Sequence, residues 1–348
     1  YSWPSQNPTQ HPFILKTTNT NGIYKLLKIP IVVLSPVIIL ARCILIIVSL
    51  YIFGTLAFLV NRNSHYPNKL SKIKLFLMHC ISKSMGYTVL LIQGLIIVKE
   101  NKPPKNAKIY VYNHTSFNDI LMQCAVLTGS GVAKHQLADW WPFRQLLQLS
   151  RTILVKRDGL VAKQSMNMVN NNVYLQMKQF VASSEDPLII CPEGTVPAPG
   201  YVMRFKTSAF RLGVPVTPVS ITYKTFLPLS WTTHHWLIAF FNHIANPFGI
   251  IKVKFFEQQT LQNDEDPQQF ADRVGKMIAD DLGYKYTFYQ SQDWVYFGCG
   301  VAKDKITQEY KDDFGWMGTV DQFCKRYKIK SKNFGIHQND VKHIRIEE

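Results

Sequence analysis

Between Ile29 and Val60 the chain carries one charge, Arg42, in a run of otherwise apolar or small uncharged side chains. A stretch like that has to be wrapped by protein or lie in lipid. One membrane-spanning helix needs about 20 apolar residues, so the run exceeds a single pass. Pro36 and Arg42 divide it into Ile29–Ala41 and Cys43–Val60. A proline inside a helix removes a backbone donor, and an arginine at the bilayer centre is costly. Lys25 and Lys28 precede the run, and Arg62, Lys69, Lys72 and Lys74 follow it. Positive charge at both ends favours placing both ends on one side. The expectation is a re-entrant or monotopic helical hairpin rather than one clean span, with Arg42 snorkelling or lying near headgroups.

The rest of the chain divides around that run. Residues 1–28 read as a polar arm, 29–84 as the hairpin and a basic connector that becomes helical, and 284–348 as a polar extension without a chemical motif. Between 85 and 283, apolar runs alternate with longer periodic segments. Tyr87–Val98, Ile109–Tyr112, Thr152–Arg157, Pro187–Cys191, Val214–Tyr223 and Ile250–Phe256 read as strands, the first with a turn at Gly94. Val161–Ser183, Val202–Leu212 and Pro267–Leu282 read as helices, the last closed by Gly283. This order predicts an α/β domain, a mostly parallel mixed sheet flanked by helices, behind an N-terminal membrane-embedded helical hairpin. Trp140 and Trp141 open a short amphipathic element and either fill the core or rest at a membrane interface. The aromatic-rich Trp231–Phe248 either lies on the membrane or packs on the sheet.

A net charge of +16 and a pI near 9.5 point to an anionic partner, such as lipid headgroups or a phosphate-bearing substrate. No dense basic tract with interleaved aromatics appears, so nucleic acid is not an expected partner. The cysteines, Cys43, Cys80, Cys124, Cys191, Cys299 and Cys324, form no CxxC pair. A zinc or thioredoxin-type site is therefore not expected, no metal is predicted, and a reducing surrounding is the natural reading. The sequence starts at Tyr1 rather than methionine, and a native N-terminus that is trimmed or missing is the expectation.

The chemistry concentrates after the strand Ile109–Tyr112, where the chain reads Asn113-His114-Thr115-Ser116-Phe117-Asn118-Asp119. Ser116 stands three residues before Asp119 and just ahead of an apolar series, the pattern of a helix N-terminus with a capping box. His114 then falls on a strand-to-helix turn, where α/β sheets commonly bind ligands, with Asp119 in the first turn of the helix. The spacing lets a carboxylate fix the histidine tautomer and leave the other ring nitrogen to take a proton. On these residues alone, a turn histidine and a capping aspartate are the other reading.

Two later stretches add weight: Pro192-Glu193-Gly194-Thr195 behind a strand, and Val214-Pro215-Val216-Thr217-Pro218-Val219. Asn-His-x4-Asp, Pro-Glu-Gly-Thr and Val-Pro-Val-x-Pro-Val in this order resemble the glycerolipid acyltransferase family over roughly residues 29–283. The Pro36…Arg42 run, Val202-Met203-Arg204-Phe205-Lys206 and Phe270-Ala271-Asp272-Arg273-Val274 are similar to its branch of lysophosphatidylcholine acyltransferases, microsomal glycerol-3-phosphate acyltransferases and ancient ubiquitous protein 1.

The resemblance implies His114 as general base, Asp119 as its orienting carboxylate, acyl-CoA as co-substrate with no other cofactor, and glycerol 3-phosphate or a lysophospholipid as acceptor. It implies Arg157 as binder of the acceptor phosphate, Glu193, Gly194 and Thr195 as acceptor-binding, and Pro218 as a pocket wall, with a strand-end cation, a structural glutamate and core packing as the alternatives. Val196 stands where many bacterial relatives carry arginine, so Arg204 or Lys206 is the expected replacement cation. Membrane lipids are implied partners. The endoplasmic reticulum is the implied location, with the mitochondrial inner membrane the alternative. The competing function is a structural, lipid-binding subunit of a membrane complex that keeps the fold without turnover.

Overall fold

A computed structural model describes residues 22–61, 71–134, 138–139, 141, 143–155, 162–184, 186–227, 229 and 236–290. Helix α1 (Gly22–Asn61) packs against α2 (Lys72–Ile92), and a five-stranded sheet follows. The sheet order is β1 (Leu95–Glu100), β8 (Gly249–Phe255), β7 (Val216–Thr225), β2 (Ile109–Tyr112) and β5 (Leu188–Ile190). β7 and β8 run antiparallel, and the other three pairs are parallel. The expected mixed, mostly parallel sheet is what forms.

The two-residue period of β2 sorts its side chains onto opposite faces. Ile109 and Val111 join Leu188, Ile190 and Val216 beneath α5 (Ala162–Ser183) and α7 (Pro267–Leu282), against Phe180, Phe270 and Ile278. Tyr110 and Tyr112 join Val219, Ile221 and Val253 on the other face, under Leu90 of α2 and Met122 of α3 (Asp119–Met122). Burying a side chain such as Phe180 or Phe270 contributes about 2 kcal/mol. Helix α7 begins and ends where its sequence dictates. Asp266 accepts from the Gln268 and Gln269 N–H groups, Gln269 reaches back to the Asp266 N–H, Pro267 opens the first turn, and Gly283 ends it at φ +64°.

The apolar segment departs from expectation. α1 runs unbroken through Pro36 and Arg42, so residues 29–60 are one helix rather than two arms, and the second arm of the helical pair is α2. In an apolar environment an opened backbone leaves polar groups unsatisfied, which outweighs the single donor that proline lacks. Arg42 does not snorkel. Its guanidinium turns into the protein and donates to the carbonyls of Ile244 (2.6 Å), Asn246 and Pro247, at the C-terminal end of α6 (Trp236–Ala245). The last carbonyls of a helix have no partner within it and carry its negative dipole end, so they offer a charge-matched seat.

Further along α1, Asn61 donates to Gln145 O of α4 (Phe143–Leu149), and the Tyr51 ring lies tilted against Trp141 at 5.0 Å between centroids. Trp141 is thus exposed beside α1 rather than in the core. Trp140 lies outside the described residues. α1 also exposes Leu40, Ile44, Ile47 and Leu59, and α2 exposes Ile73, Phe76 and Leu91. Both helices are long and apolar enough to cross a membrane.

Two further elements differ from the sequence reading. Residues 87–92 complete α2, and the strand begins only at Leu95, after Gly94 turns the chain at φ +76°. The expected helix over 202–212 is instead β6 (Tyr201–Val202), an extended stretch and a short 3-10 turn at Ala209–Arg211. β6 pairs with β9 (Lys285–Tyr286). Residues 284–290 are therefore packed into the domain rather than separate from it. The Thr287 N–H bonds Val202 O, and the Arg204 N–H bonds Tyr289 O. β3 (Val132–Lys134) pairs with β4 (Ile153–Val155) beside β5.

Candidate active site

The end of β2 is fixed before His114 is reached. The Asn113 side chain makes two bonds to the backbone of Ile221 on β7, donating to its carbonyl (2.9 Å) and accepting from its N–H (2.8 Å). The turn then wraps around the Asp119 carboxylate. Oδ2 accepts from the Thr115 N–H (2.7 Å) and the Ser116 N–H (3.1 Å), and lies 2.7 Å from His114 Nδ1. Oδ1 accepts from the Tyr223 hydroxyl at 2.8 Å. The expected capping box is half realised: the carboxylate reaches back to the Ser116 N–H, while the Ser116 hydroxyl accepts from the Asn118 N–H at 3.1 Å.

The His114 side chain is 23% exposed and that of Asp119 2%. Solvent therefore meets the imidazole and not the carboxylate. With Nδ1–H donated to Asp119, Nε2 is the nitrogen that takes a proton. Burial, followed by the charge and hydrogen bond of Asp119, raises the Tyr223 phenol well above its usual range, so it stays a donor.

Glu193 is fully buried and faces inward. Oε1 accepts from the His114 N–H at 2.6 Å and Oε2 from the Met203 N–H at 2.7 Å. Burial pushes its carboxyl well above the usual range, against the pull of those two N–H groups and with the Asp119 charge adding to the rise. The carboxylate thus ties the His114 backbone to the loop before β6 rather than standing open to an acceptor. Gly194 turns that loop at φ +74°, a conformation that favours glycine, and Thr195 is buried beside it.

Of the two expected replacement cations, Arg204 is committed elsewhere. Its guanidinium pairs with both oxygens of Asp272 (3.1 and 2.8 Å), which also accepts from Gln268 and from Tyr286 of β9. Lys206 is half-buried, its N–H bonded to Pro192 O at 3.0 Å, so it flanks the Glu193 loop. Pro218 is buried in the middle of β7 opposite Val111, inside the sheet. Arg157 lies outside the described residues.

The sequence reading missed Tyr223, Asn113 and two buried polar contacts on the same turn. Asn118 donates to Gln93 at 2.8 Å, and Ser116 Oγ lies 2.7 Å from His243 Nε2. Tyr223 was within reach of the pattern, since Val219, Ile221 and Tyr223 share one face of β7 by the period of two. His243 sits 127 residues from Ser116 and gives no local signal.

Comparison with known proteins places this geometry. Residues 95–222 match the family model described as Acyltransferase. Human lysophosphatidylcholine acyltransferase 2 is 26% identical over 221 residues, 61% of this chain and 39% of its own. Human glycerol-3-phosphate acyltransferase 4 is 27% identical over 228 residues, 62% of this chain and 45% of its own. The chain thus spans less than half the length of these relatives. Among solved structures, the 1-acyl-sn-glycerophosphate acyltransferase PlsC of Thermotoga maritima superposes with a TM-score of 0.53 at 17% identity, over 74% of this chain and 99% of that one. The turn of His114 and Asp119, the Glu193 loop and most of β7 all fall within the matched residues, so they lie in a domain that matches the Acyltransferase family.

Proposed function

We propose that this chain is a membrane-bound acyltransferase that moves an acyl group from acyl-CoA to the free hydroxyl of glycerol 3-phosphate or a lysophospholipid. The observation that carries the reading is the His114 Nδ1–Asp119 Oδ2 contact of 2.7 Å, with only the imidazole open to solvent. Nε2 of His114 removes the acceptor hydroxyl proton as the oxygen attacks the thioester carbonyl. Asp119 stabilises the imidazolium that forms. Collapse of the tetrahedral intermediate breaks the carbon–sulfur bond, and the imidazolium returns its proton to the CoA thiolate. The thioester is already reactive, so no protein nucleophile is required.

Within this reading, Gly194 and Thr195 shape the acceptor side, and Arg157 and Lys206 meet the acceptor phosphate. Arg204 and Glu193 hold the site's walls in place. The exposed apolar faces of α1 and α2 seat the domain in the membrane, which keeps its lipid substrates close. The family resemblance favours the endoplasmic reticulum.

Purified protein in detergent, given labelled acyl-CoA and a panel of glycerol 3-phosphate and lysophospholipids, is expected to acylate one acceptor class well above the others. No transfer to any acceptor by folded protein would instead fit a structural subunit of a membrane complex.

A further inference from the structure

We propose that His243 is a positioning residue for the His114–Asp119 pair, and that Arg42 of α1 holds it there, so that the membrane helix and the catalytic turn are mechanically joined through α6. The catalytic consequence rests on the acyl-transfer reading above, whereas the structural one does not.

The link is continuous. Arg42 donates to the carbonyls of Ile244, Asn246 and Pro247, all within four residues after His243. The Asn246 side chain closes the same helix end, donating to Asn242 O and Leu227 O and accepting from the Leu227 N–H. Gly94 packs beneath. A Cβ there would stand 2.7 Å from Pro247 O and 3.0 Å from the Arg42 guanidinium, so the helix end and the α2–β1 turn leave no slack. One residue before Ile244, the His243 ring is buried, 2.7 Å from the Ser116 hydroxyl and 5.6 Å from the Phe117 ring centroid.

Ser116 passes the constraint inward. Its hydroxyl also accepts from the Asn118 N–H, and its own N–H is one of the donors on Asp119 Oδ2. Fixing the Ser116 side chain therefore fixes a donor that sets where the Asp119 carboxylate stands against His114. Ser116 and His243 resemble a nucleophile and its base, but Ser116 is fully buried and no substrate reaches it. On the outer side, Phe240 and Phe241 of α6 are exposed on the element that α1 grips. Seating α1 and α6 in a bilayer thus braces the turn that carries His114.

The test uses the full chain in detergent, with His243→Ala, His243→Gln and Arg42→Gln. Hydrogen exchange is followed by mass spectrometry on peptides covering 113–119, with peptides from β5 and α7 as reference. His243→Ala is expected to speed exchange in 113–119 about tenfold, the scale of one lost buried hydrogen bond, with the references unchanged. Glutamine, which restores a partner for Ser116, is expected to recover most of the protection, and Arg42→Gln to reproduce part of the loss. In acyl transfer, His243→Ala is expected to lower kcat about tenfold at unchanged KM for acyl-CoA. Unchanged exchange in 113–119, or a rise spread equally through β5 and α7, would overturn the proposal. A wild-type chain without acyl transfer would sink the enzymatic reading and leave the exchange result to decide this one.

Discussion

Asp119→Asn is expected to lower kcat by about 10²–10⁴ while the protein stays folded and KM changes little. The carboxylate accepts three contacts on Oδ2 and the Tyr223 hydroxyl on Oδ1. An asparagine side chain has one accepting oxygen, and it goes where three donors converge. Its NH2 then faces the Tyr223 oxygen, and a hydroxyl can turn to accept. The hydrogen bonds survive in number, so stability changes little. What disappears is the negative charge beside the imidazolium that forms when His114 takes the acceptor proton. On a carboxylate buried from water that charge is worth far more than in solvent. Steady-state kinetics beside a thermal unfolding curve would separate the two: a kcat loss with an unmoved midpoint is the predicted pair.

Glu193→Gln is expected to cost about 3 kcal/mol of stability and to change how stability depends on pH. Both oxygens of Glu193 accept backbone N–H groups, from His114 and Met203. Glutamine replaces one acceptor with a donor, which sets N–H against N–H in a fully buried place. An unsatisfied buried donor costs about 1–3 kcal/mol, and two are created. The pH effect follows from burial raising the folded-state carboxyl above its unfolded value. A carboxyl raised on folding stabilises fully below its unfolded value near pH 4.5, and that contribution is lost as pH rises through the folded value. Wild type should therefore lose part of its stability on the alkaline side of pH 4.5, and Glu193→Gln should lose that slope. Unfolding midpoints across pH 4–9 would show it. An unchanged slope in the variant would place the titrating group elsewhere.

How much of this was legible in the sequence depends on how local each feature is. Strands β2, β5, β7 and β8 and helices α5 and α7 announce themselves, because apolar period and capping residues such as Asp266, Pro267 and Gly283 act within a few positions. The turn of the candidate site is local in the same way, five residues from His114 to Asp119. α2 was misread after Tyr87 because Tyr87 and Leu91 are exposed although apolar, and a helix without a polar face has no amphipathic signature. The run 202–212 looked helical from its spacing, but β6 is held by β9 about 80 residues later, and two-residue strands leave no pattern. Direction was also hidden. The sequence names Glu193, but only the fold shows its carboxylate turned onto the backbone of His114. Arg42 is the sharpest case. Within its own stretch it is an expensive charge, and its partners lie on a helix about 200 residues away.

The most direct test of the central claim is acyl transfer by the purified chain, wild type beside His114→Ala, with labelled acyl-CoA and the acceptor panel. The His114–Asp119 reading predicts turnover in wild type and a fall of about 10²–10⁴ in the variant. Turnover that survives loss of the imidazole, or its absence from well-folded wild type, would contradict it.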